Sequence, residues 1–173
     1  MKWSFLHLVT KKRHFVTSIN FIKCKSVYFS QVMKRSIHMK KNVILFMIAT
    51  IVFLLIDLLW LGVLSKDLYQ EQLGHLISNE FKLVPAVIFY VAFVTGLLVL
   101  VLKPGLKEKS FKQTILYAPI YGFATYGAYD LTNYATMQDF PLLIVVIDLI
   151  WGTSLTLVTT VITYVVYRRF FEK

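Results

Sequence analysis

The sequence predicts an all-α fold: a four-helix transmembrane bundle with both termini on the cytoplasmic side. Three observations lead there. The 173 residues are 57% hydrophobic and 16% charged, with a mean hydropathy of +0.65. That is too apolar for a soluble domain of this length. Four stretches reach the roughly 20 mostly apolar residues that a helix needs to cross hydrocarbon. The lysines and arginines between those stretches alternate in density, as the positive-inside rule requires.

The first 38 residues hold eight Lys/Arg and no acid, while 39–173 are nearly balanced, with eleven bases against nine acids. The net charge of +10 therefore belongs mainly to the leader and is no nucleic-acid signature. A basic, Ser-containing, acid-free leader resembles a transit peptide. The plainer reading is a gene-start error, because "MKKNVILF" from Met39 is a typical start for a bacterial membrane protein. If translated, 1–38 would be a mobile cytoplasmic tail near anionic lipid. Residues 39–173 then form one membrane domain. The single cysteine, Cys24, excludes an internal disulfide and a CxxC redox pair.

Span one is read at about 43–64 and carries one charge, Asp57. Span two, about 83–102, carries none. Span three, about 114–135, is the least apolar, with Pro119, Gly122, Gly127, Asp130 and five tyrosines. Glycine and proline are tolerated where a helix packs among others, so this span is expected to be buried on most sides. Span four, about 142–167, has Asp148 near its start and a run of threonines later. The 103–112 loop has four lysines, and Lys40, Lys41, Arg168 and Arg169 flank the outer spans. The 137–141 loop has no base. In the 65–82 connection, Leu68, Leu73, Leu76 and Ile77 predict one apolar face of a short helix on the outer membrane surface. His75 is read as a plain interfacial residue rather than a metal or proton ligand.

The intramembrane acids are the chemically informative feature. Spans one and three run outward and span four inward, so Asp57, Asp130 and Asp148 fall at one level, about 5–10 Å outward of the midplane at 1.5 Å rise per residue. An aspartate at a helix centre costs about 2.5–3.5 kcal/mol on insertion scales. Three such groups are expected to face inward, away from lipid. The spans contain no Lys, Arg or His, so no salt bridge is available within them. The acids are then either protonated or joined by a cation, since hard ions favour oxygen ligands.

Residues three or four apart share a helix face. Asp57 thus shares one with Trp60 and Thr50, Asp130 with Tyr126 and Asn133, and Asp148 with Trp151 and Gly152. Tyr129 adjoins Asp130. The near-repeat "IDLLWLG" (56–62) and "IDLIWGT" (147–153) predicts reciprocal indole–carboxyl bonds, Trp60 with Asp148 and Trp151 with Asp57. Thr50 and Thr159 could extend a polar track inward. Against a ligand site stands the reading of these groups as interhelical glue, worth roughly 0.6 kcal/mol per bond, and of Trp60 as a membrane-interface anchor.

The stretches "DLLWLG" (57–62), "YQEQLGHL" (69–76), "YDLTNYAT" (129–136) and "DLIWG" (148–152) give 39–173 a resemblance to a family of small bacterial inner-membrane proteins, a domain of unknown function. The resemblance implies four spans and no established activity. The leader departs from the family pattern, and Phe140–Pro141 stands where Trp-Pro is expected. No P-loop, HExxH, GxSxG or GxGxxG motif occurs to support nucleotide, zinc or serine hydrolase chemistry. Three functions remain. The first is a small binding or transport-type protein whose Asp57, Asp130, Asn133 and Asp148 hold a proton, cation or small polar ligand, supported by Trp60, Tyr126, Tyr129, Trp151 and Gly152. The second is a non-catalytic membrane partner or assembly factor. The third is a membrane enzyme with paired carboxyls, the least favoured. The lipid bilayer is the expected partner, with a homodimer if the protein transports; no nucleic acid and no cofactor is indicated.

Overall fold

A computed structural model describes residues 39–76, 80 and 82–171. The basic leader and Ile77 of the expected surface face lie outside the described residues. The packed unit begins at Ile44. The described residues form five helices and no strand. These are α1 (Met39–Leu64), α2 (Lys66–Leu73), α3 (Leu83–Lys107), α4 (Phe111–Thr136) and α5 (Leu142–Phe171).

By length and composition α1, α3 and α5 can cross a membrane. α4 has 26 residues, about 39 Å of helix, but its glycines, tyrosines and acid keep it outside that apolar class. Much of the outward surface of the three apolar helices is what lipid would meet: Leu55, Val84 and Ile150 are 67%, 70% and 64% exposed.

Two helices change pitch, each for a local reason. α1 widens into a π turn over Trp60–Leu64, where Ser65 closes the end by donating both its amide and its Oγ to the Trp60 carbonyl, each at 2.9 Å. α3 does so over Leu98–Leu102, just before Pro104. A proline there cannot donate and would crowd the carbonyl of Leu100, and the wider turn relieves that clash. The helix then continues to Lys107, so most of the expected 103–112 loop is helical. α4 starts at Ser110, whose Oγ accepts from the Gln113 amide at 3.2 Å as an N-cap.

α5 carries the most buried positions of the five helices. Its buried positions recur every three or four residues, from Ile144 and Asp148 through Gly152, Leu155, Thr159 and Thr163 to Tyr167. α4 packs along it. A Cβ on Gly122 would collide with Thr156 and the Gly152 carbonyl, and one on Gly152 would strike the Tyr126 ring. These two glycines set how closely the helices approach. Phe53, Phe93 and Tyr121 join α1, α3 and α4 in the main core.

The expected outer surface helix is present as α2, but its partner is protein. Leu68, Tyr69 and Leu73 pack on Phe140, Ile144 and Val145 at the start of α5. Leu76 stays 41% exposed. Proximity to α5 decides this: an apolar face is better covered by a packed core than left at an interface. His75 is exposed.

Candidate functional site

One cavity of about 520 Å³ brings the three acids together. Asp57, Asp130 and Asp148 all line it. α1, α4 and α5 each deliver one carboxyl, while α2 and α3 deliver Tyr69 and Tyr90. The acids are 4%, 1% and 9% exposed, respectively.

Their partners differ. The Asp57 carboxylate accepts from the Tyr90 hydroxyl at 2.8 Å and from the Trp151 indole at 3.4 Å. Asp148 accepts from the Tyr69 hydroxyl. Asp130 accepts nothing, and both of its carboxylate oxygens are buried without a partner. Buried polar groups are overwhelmingly satisfied, so an unsatisfied acid lining a cavity needs an explanation. Tyr69, on α2, has its phenol pushed above its ordinary pKa, first by burial and then by its bond to Asp148. It therefore acts as a donor to that carboxyl.

The paired-tryptophan expectation holds in one half. Trp151 does donate to Asp57. Trp60 instead donates to Tyr69 at 3.4 Å, and Tyr69 donates to Asp148. The two indoles stack face to face, with centroids 4.2 Å apart and planes 11° apart. Stacking holds the two copies of the repeat together, and Tyr69 fills the gap that Trp60 does not span. No residue of α2 was singled out for this role from the sequence. Tyr69 opens the family-specific stretch "YQEQLGHL", which was the available signal.

The remaining predicted residues divide. Tyr126, Tyr129 and Trp151 line the cavity with the acids. Gly152 does so indirectly, by giving the Tyr126 ring its place. Asn133 does not line it: it lies one turn beyond, bonded to Tyr129. Tyr90, from a span without charge, was missed because a lone tyrosine in an apolar run carries no periodic signal. Among the described residues, no group of three His, Cys, Asp or Glu side chains converges as a metal would need.

Beyond Asp148 along α5, the buried threonines fall into two sets. Thr156 and Thr160 bond back to the carbonyls of Gly152 and Thr156 at 2.6 and 2.7 Å. Thr159 and Thr163 are fully buried yet their hydroxyls have no partner, and the same holds for the Thr50 hydroxyl on α1.

The three long apolar helices fit a helical integral membrane protein, in which three acids line one cavity. The sequence pattern of one family, described as a predicted membrane protein family (DUF2177), matches residues 42–165. The chain belongs to that family. No curated protein and no solved structure matches it.

Proposed function

We propose that the protein is a small binding or transport-type protein of the bacterial inner membrane. Its cavity acids hold a proton or a small polar or cationic ligand in the outer half of the bilayer. The observation that carries this reading is Asp130: 1% exposed, lining the cavity, with neither oxygen partnered. Intramembrane acids facing a cavity are the usual users of proton and ion chemistry.

In this reading α4 is the fourth span and both termini are cytoplasmic. Its length supports that role, as do its close packing on α5 and its exposed apolar side chains Leu116, Ile120 and Phe123. A cysteine at Lys109 and one at Gln138, in a Cys24→Ser background, would then label from opposite sides of sealed vesicles. Labelling from one side refutes the fourth span. Few spans favour a homodimer.

The test is reconstitution of the full chain into liposomes loaded with a pH-sensitive dye. Proton or cation flux that disappears in Asp130→Asn, with folding intact, supports the reading. Equal flux in the wild type and in all three Asp→Asn variants overturns it. One observation favours the second reading, an assembly factor. The Tyr90–Asp57, Trp151–Asp57 and Tyr69–Asp148 bonds each tie two helices together, as glue would. Asp130 makes no such tie.

A further inference from the structure

The cavity's lining narrows what it would take. Six aromatic side chains face it: Tyr69, Phe89, Tyr90, Tyr126, Tyr129 and Trp151. The remaining side chains of the wall are Leu61, Leu73, Thr125 and the three acids. None of its lining residues is Lys, Arg or His. An anionic ligand would therefore meet three carboxyls and no counter-charge. A multivalent metal ion favours several carboxylates drawn together, and the described residues hold no group of three His, Cys, Asp or Glu side chains placed for one. A neutral hydroxylated ligand would find acceptors and rings to stack on, but would bring no charge to the unpartnered Asp130. A volume of about 520 Å³ is that of a small-molecule site.

We infer that the cavity binds a monovalent organic cation, an amine or quaternary ammonium carried on an apolar or aromatic body. This inference rests on the cavity being a ligand site at all. The cation would sit against Asp130, because Asp57 and Asp148 already accept from Tyr90, Trp151 and Tyr69. The ring faces of Tyr126 and Trp151 would stabilise the positive group, as aromatic faces do for ammonium ligands. The apolar wall would take the body. α4 and α5 therefore supply the charge reader and the cage together: Asp130 and Tyr126 from one, Trp151 from the other.

The experiment uses the full chain in lipid nanodiscs and two probes of the same shape. Benzyltrimethylammonium carries a positive nitrogen where neopentylbenzene carries a neutral carbon. Equilibrium dialysis is expected to show saturable binding of the cation, weakened about tenfold or more in Asp130→Asn. The neutral probe is expected to partition equally into wild type and variant. Trp151→Leu tests the cage separately and should weaken the cation without touching Asp130. Equal cation binding in the wild type and in Asp130→Asn overturns the inference, and so does neutral-probe binding as tight as the cation's. If the cation fails while liposome flux still depends on Asp130, the ligand class is wrong and the site stands. If flux is also indifferent to Asp130, the site itself fails. Unfolding curves of each variant separate lost binding from lost fold.

Discussion

Replacing Asp130 with leucine should make the protein more stable. The substitution removes two buried oxygens that accept no hydrogen bond. A buried polar group without a partner costs about 1–3 kcal/mol, and insertion scales give about 2.5–3.5 kcal/mol for an aspartate at a helix centre. Leucine is larger, but the site borders a cavity of about 520 Å³, so the extra methyl groups have room. The expected gain is about 1–3 kcal/mol. Asp57→Leu is the control with the opposite sign. It strands the Tyr90 hydroxyl and the Trp151 indole, now at 2.8 and 3.4 Å from the carboxylate. A loss of about 1 kcal/mol or more is expected there. Reversible SDS unfolding in mixed micelles, followed by circular dichroism, measures both. If Asp130→Leu loses as much as Asp57→Leu, then Asp130 has a structural partner. The case for an acid kept at a cost to stability would then be wrong.

Three further outcomes follow from the same geometry. Gly152→Ala should cost about 1–3 kcal/mol, because its methyl group must displace the Tyr126 ring, and Gly122→Ala should cost a similar amount; thermal unfolding in detergent checks both. Tyr90→Phe, which keeps the ring and removes only the hydroxyl that donates to Asp57 at 2.8 Å, should cost about 1 kcal/mol. The same unfolding assay reads that loss. Thr159→Val should be neutral or stabilising, whereas Thr156→Val, which gives up its bond to the Gly152 carbonyl, should not be. A loss of about 1 kcal/mol in Thr159→Val would instead reveal a bridging water on an inward polar track.

The sequence carried the helices well because a span is a length and a composition. The starts read at Leu83 and Leu142 coincide with helix starts, and 114–135 lies inside α4. What it misjudged were continuations: Lys103–Lys107 extends α3 because a π turn accommodates Pro104. That Asp57, Asp130 and Asp148 line one cavity is an observation of packing; a common depth in the membrane is what rise per residue leads one to expect of them. The identity of their donors was not legible in the sequence. Tyr69 and Tyr90 come from an amphipathic connection and an uncharged span, and only tertiary packing brings them to the acids. Asn133 shared a helical face with Asp130 on paper, but one turn along α4 takes it past the cavity to Tyr129.

The central claim is that Asp130 is an unpaired acid buried against a cavity. A hydrophobic carbodiimide, which modifies carboxylic acids that water-soluble reagents cannot reach, tests it most directly. Mass spectrometry of the labelled full chain in native lipid should find the adduct first on Asp130. Asp57 and Asp148 should react more slowly behind their tyrosine donors. An unmodified Asp130, with label only on exposed acids such as Asp67 and Asp139, would contradict the account.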